Sequence, residues 1–152
     1  PYDGADFNSV GAEIRCDVDG TPGSNDTPGR IHFRTTSDGS SSPTTRMTIL
    51  SNGNVGIGTV EPATPFHLVG DFTAQGHILP QSNNSYNLGS PGARFANIYT
   101  NDLNLCNEGR GNDVDGTSGN WTIQEGEDNL YVINNITGKK FKMMLTPVED
   151  GE

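Results

Sequence analysis

Apolar residues in this chain recur at every second position in short runs, and almost nowhere at every third or fourth. Residues 12–18 set Ile14, Cys16 and Val18 against Glu13, Arg15 and Asp17, and residues 30–36 set Ile31, Phe33 and Thr35 against Arg30, His32 and Arg34. Such alternation gives a strand one apolar and one polar face. Residues 47–50 continue it, with Met47 and Ile49 opposed to Thr48 and Leu50, and residues 55–58 alternate Val55 and Ile57 with Gly56 and Gly58. Between these last two runs lies Ser51-Asn52-Gly53-Asn54, and an Asn-Gly pair between strands predicts a tight hairpin because both residues tolerate positive φ. Loops 19–29 and 37–43 are dense in Gly, Pro, Ser, Asn and Asp, the residues that punctuate strands. Residues 1–60 therefore read as a four- or five-stranded β-unit. The best candidate for a turn of helix is 92–100, where Phe95, Ile98 and Tyr99 are spaced i, i+3, i+4, although 98–105 reads equally well as a strand.

After Pro62 and Pro65 the texture changes to short pieces at 66–69, 71–74 and 77–79, separated by Gly70 and Gly76. Residues 61–104 are expected to form a segmented shaft. The last third, 105–152, alternates at 121–124, 129–134 and 140–145, with a hairpin at Thr137-Gly138, and predicts a small antiparallel meander. The expected fold is all-β: short-stranded units joined by an intertwined trimeric β-shaft, with the C-terminal meander as trimer cap. Glycine weakens an isolated strand, so its repetition in 55–58 points to a second backbone close by. Val55, Gly56, Ile57 and Gly58 are thus expected to pack the trimer.

Composition sharpens the oligomeric expectation. Leu, Ile, Val and Phe supply only 31 of 152 residues, near the level below which chains fail to build a core. Strand patterning with so little core implies core shared between copies. The formal charge of −10 disfavours nucleic acid and anionic membrane surfaces as partners. The basic clusters at Arg30/Arg34 and at 139–142 fit solvated faces. No apolar run approaches the length needed to span a bilayer as a helix. Cys16 and Cys106, 90 positions apart, read as small half-buried thiols and not as a disulfide framework. The sequence opens on Pro1, which leaves open an N-terminal part that has been removed.

Candidate chemistry is sparse. The pentapeptide Asp-Val-Asp-Gly-Thr occurs at 17–21 and again at 113–117. It resembles the start of a calcium loop, but Pro28 and Gln124 stand where the twelfth-position glutamate should be, so aspartates bonding their own backbone are expected instead. Gly53-x-x-Gly56-x-Gly58 has the wrong order for a nucleotide fingerprint. Of the histidines, His32, His67 and His77, only His77 in the shaft is a candidate for an axial metal, against the plainer reading of a surface histidine, and no metal or cofactor is assigned. Asn120-Trp121-Thr122 and three similar triplets match glycosylation acceptors, as expected by chance in a chain rich in Asn, Ser and Thr. Trp121, Tyr131 and Asn120 are the candidate receptor-binding residues, since aromatic faces beside amides suit sugar rings. The competing reading makes Trp121, in phase with Ile123, the anchor of the C-terminal core.

Several motifs together resemble the tail-fibre and fibre-like virion proteins of tailed bacteriophages. They are Arg30-Ile31-His32-Phe33, residues 42–49 leading into Gly53-Asn54-Val55-Gly56-Ile57-Gly58-Thr59, Tyr86-Asn87-Leu88-Gly89-Ser90 with Arg94-Phe95 and Asn97-Ile98-Tyr99-Thr100, and the stretch 105–145, which is similar to a C-terminal module of marine and cyanobacterial phage structural proteins. The resemblance covers about residues 30–145. It implies a non-enzymatic homotrimer in the virion, partnered by other virion proteins and by a host surface glycan, without catalytic residues to map. A capsid-anchored head fibre or decoration protein is the first alternative, and a polysaccharide-degrading tailspike fragment the second. The sequence departs from the pattern in one respect: many relatives carry a self-cleaving chaperone after the Leu-Gly-Ser to Ile-Tyr-Thr segment, and this chain does not.

Overall fold

A computed structural model describes residues 9–148, so positions 1–8 and 149–152 of the expected outer units lie outside the described residues. The class is all-β: nine strands and no helix among those residues. The chain divides between Ile78 and Leu79 into two compact units.

The first unit is one five-stranded sheet, in the order β1 (Ala12–Val18), β2 (Gly29–Thr35), β3 (Thr44–Ile49), β4 (Val55–Ile57) and β5 (Phe66–Leu68). The first four strands pair antiparallel through the loops that the turn residues predict. At the Asn-Gly hairpin Gly53 has φ +85°, Leu50 N–H donates to Asn54 O at 2.9 Å, and Asn54 N–H donates to Asn52 Oδ1 at 2.9 Å. A register shift after Phe33 leaves Arg46 as an extra residue on β3. Its guanidinium reaches Thr35 Oγ1 (2.9 Å) and Ser37 Oγ (2.7 Å).

β5, expected in a separate shaft, instead pairs parallel with β4, so the first sheet runs past residue 60. Parallel neighbours need a crossover, here residues 58–65. Pro62 and Pro65 belong to this crossover, where the absence of an N–H costs no ladder bond. Val55 N–H donates to Pro65 O at 3.0 Å.

The second unit is an antiparallel meander of β6 (Asp102–Cys106), β7 (Asn120–Glu125), β8 (Leu130–Asn134) and β9 (Lys140–Lys142). The Thr137-Gly138 hairpin forms as expected: Gly138 has φ +70°, and Asn134 Oδ1 accepts Ile136 N–H at 3.0 Å and Thr137 N–H at 2.9 Å.

Segments 71–74 and 77–79 alternate as strands should and form no ladder among the described residues. Residues 92–100 form no helix; Ser90-Pro91-Gly92-Ala93 closes instead as a tight turn with Ser90 N–H to Ala93 O at 2.8 Å. Proline and glycine at the centre of that turn favour it over a helix start.

Candidate functional site

Strand register assembles the alternating residues of the first sheet into rows. Ile14, Phe33, Met47, Ile57 and Leu68 form one row across all five strands, and Cys16, Ile31, Ile49, Val55 and Phe66 form the next. Between them on the opposite face runs Arg15, His32, Thr48, Gly56 and His67.

Burial on these faces is inverted. On β2 the polar residues are the more covered and the apolar ones the more exposed. Among the described residues the one side chain fully removed from solvent is polar, Thr48 at 0 %, and apart from Pro62 in the crossover no large apolar side chain is buried. Ile14 is 69 % exposed and Phe66 58 %, while Ile31 and Phe33 each keep 36 %.

The polar face is closed by a dense set of local partners. Glu13 pairs with Arg34, and Arg30 with both Asp19 and Glu61, the latter at 3.2 Å. His32 Nδ1 and Thr48 Oγ1 share a hydrogen bond of 3.0 Å. Ser51 N–H donates to Asp19 Oδ2 at 2.6 Å. That backbone bond, with Arg30 beside it, holds the Asp19 carboxyl below the usual carboxylate range. The crossover lies over Gly56: a Cβ there would stand 2.7 Å from Thr59 O and 3.4 Å from Pro62 Cβ.

The apolar face has no such cover. Ile14, Ile31, Phe33, Ile57 and Phe66 keep between 36 % and 69 % of their surface in water; with full burial of such a side chain worth about 1.5–3 kcal/mol, hiding what remains exposed is worth about 4–7 kcal/mol. Whole small domains are stable by about 5–15 kcal/mol, so this face left wet forfeits an energy that matters on that scale. Contiguous exposed apolar rows of this kind mark interaction surfaces.

The residues singled out in the sequence fall as follows. Val55 and Ile57 stand in the apolar rows, Val55 half-buried and Ile57 39 % exposed. Gly56 stands on the covered face, and Gly58 meets Val69 O at 2.7 Å from a would-be Cβ, with φ +73°. The close approaches that demand these two glycines are therefore made inside the chain. Trp121 and Tyr131 lie on opposite faces of the second sheet: Trp121 pairs with Leu105 and Asn134, whereas Tyr131 pairs with Gln124 and Lys142. Asn120 shares the face of Tyr131. The three do not make one platform. His77 is exposed in the unpaired stretch, and no group of three or more metal-binding side chains occurs among the described residues.

The twin pentapeptides behave differently. Asp115 Oδ1 accepts Thr117 N–H at 2.9 Å, the expected turn, and that bond lowers its pKa. Asp19 instead ties distant Ser51 and Arg30 to the end of β1. Nothing in the sequence alone marks Ile14, Ile31 or Phe33 as site residues. Their common phase is visible in the sequence, but only the register joins them into one surface. Neither the protein-family models nor the curated proteins contain a match to this chain.

Proposed function

We propose that this chain is a segment of a homotrimeric bacteriophage fibre, a tail fibre that contacts the host surface and acts by binding, without chemistry or a cofactor. The observation that carries the reading is the inverted first sheet. A single chain that covers most of its charged ladder and leaves six of ten aligned apolar and thiol side chains exposed is shaped to find its core in other copies of itself. Three sheets facing a common axis would hide those rows and leave the polar faces outward.

Residues 69–101 fit the same assembly. Every one of them is exposed within the chain, among them Phe72, Ile78, Leu88, Phe95 and Tyr99. A stretch that finds no burial at home is suited to winding with its copies as a shaft. The phage assignment itself rests on the motif resemblance at residues 30–59, 86–100 and 105–145. Of the receptor candidates, Tyr131 and Asn120 stand on the polar face that such an assembly leaves to solvent. Weak contacts to a host surface glycan would add up over three copies and many fibres.

Two experiments test the reading. Native mass spectrometry of the full chain should return three times 16.2 kDa, and a monomer at micromolar concentration overturns it. Antibody against the chain should decorate tail fibres in electron micrographs of virions; label on the capsid surface moves the protein to the head-fibre alternative.

A further inference from the structure

The second sheet repeats the inversion. Leu103, Ile123, Val132 and Phe141 form a row across its four strands, with Leu105 and Trp121 beside them. Leu103, Leu105 and Phe141 are about half exposed. The Trp121 and Phe141 rings lie 5.9 Å apart, tilted 44°. The other face is closed by hydrogen bonds: Thr122 Oγ1 donates to Asn104 Oδ1 at 2.7 Å, and Asn135 Nδ2 donates to Asn120 Oδ1 at 2.8 Å and to Thr122 Oγ1 at 2.9 Å.

The two edges of this sheet carry opposite charge. The chain has three lysines, Lys139, Lys140 and Lys142, and all of them lie at the β9 edge or in the turn before it. In a molecule of charge −10, this is a concentrated basic edge, and the ion pairs formed among the described residues involve arginines and a histidine but no lysine. Across the sheet, one row reads Asp102, Gln124, Tyr131, Lys142, with Asp102 on the opposite edge strand β6. Both edge strands have a free side. β6 and β9 run in opposite directions, since each of the three pairings between them is antiparallel.

We propose that the second sheets of neighbouring copies join head to tail, the β9 edge of one against the β6 edge of the next, with Lys142 facing Asp102 across each junction. The inference rests on the homotrimer reading and specifies how that trimer closes. Three such junctions continue the antiparallel ladder around the ring, satisfy both free edges, and turn the apolar rows inward together. The charge pattern selects this arrangement over one that brings two β9 edges together, because like charges at an edge oppose pairing. An isologous dimer through β9 would place lysine against lysine.

The test uses the full chain, the charge reversals Lys142→Glu and Asp102→Lys, and their combination. Assembly is followed by native mass and by the emission of Trp121, the single tryptophan. Each reversal alone should raise the concentration for half-assembly by about three- to tenfold, as expected of solvent-accessible pairs repeated around a ring. The double variant should restore it to within about twofold of the parent, since the pair is then only exchanged. Added salt should weaken the parent and the double variant alike. A single reversal without effect, or a double variant no better than the singles, overturns the junction while leaving a trimeric parent intact. A parent chain that is monomeric by mass removes the trimer itself. If Lys142→Glu abolishes binding to a polyanion such as heparin but not assembly, the basic edge serves a ligand and the junction is likewise overturned.

Discussion

Replacing Ile14 by threonine separates an assembling face from a merely exposed one. Ile14 lies on the edge strand β1, opposite Phe33, and 69 % of it remains in water. Threonine keeps the β-branched shape and the strand preference. Within one chain the substitution touches little, and an exposed change of this kind shifts stability by no more than about 0.5 kcal/mol. Across copies it removes more. Full burial of an isoleucine is worth about 1.5–3 kcal/mol, so the share still exposed stands for about 1–2 kcal/mol per copy and about 3–6 kcal/mol per trimer. At 1.4 kcal/mol per tenfold, the trimer dissociation constant should rise by roughly two to four orders of magnitude, and the midpoint concentration by its square root, about 10- to 100-fold. Sedimentation equilibrium or mass photometry over a dilution series reads that midpoint directly. A midpoint unmoved by Ile14→Thr refutes the claim that this face is shared between copies.

Gly58→Ala should destabilise the first sheet by about 1–3 kcal/mol in chemical unfolding, because it combines a left-handed backbone with a carbonyl oxygen in the way; Gly53→Ala, with φ +85° but open space around it, should cost about 1 kcal/mol, and equal effects would contradict the close approach at Val69. Asp19 gives a pH signature. Its folded pKa is lowered, first by the Ser51 backbone bond and then by Arg30, so the stabilisation is present above the unfolded carboxylate value near 3.9 and is lost as pH falls through the lower folded value. Asp19→Asn should therefore flatten the acid limb of the stability curve below about pH 4, and an unchanged limb would show that the carboxylate is not held as described.

Strand existence was legible in the sequence because alternation and Asn-Gly chemistry are local. The phase of Trp121 with Ile123, and of Tyr131 with Ile133, was legible for the same reason. What placed the two aromatics on opposite faces was the pairing of Gln124 with Tyr131, a register between separate segments that no local pattern encodes. The parallel placement of β5 against β4 escaped for a similar reason: Pro62 and Pro65 announce a break in pairing but not where the chain returns. Segments 71–74 and 77–79 have the alternation of strands and no strand partner among the described residues. Periodicity states which face of a segment is apolar and is silent about what covers it. Glycine at 56 and 58 signals a close approach of backbone without saying whose, and the backbone that approaches both belongs to the same chain.

The two cysteines supply the most direct measurement of the central claim. Both are exposed in the single chain. Cys16 stands in the apolar row with Ile31 and Ile49, whereas Cys106 stands in the polar row with Asn120. Rates of thiol labelling in the native full chain, each compared with the rate in denaturant and followed over a dilution series, report the two faces separately. A shared apolar face predicts that Cys16 is strongly protected at high concentration and becomes reactive on dilution, while Cys106 labels readily throughout. Cys16 labelling as fast as Cys106 at every concentration would mean that the apolar face of the first sheet meets no other copy.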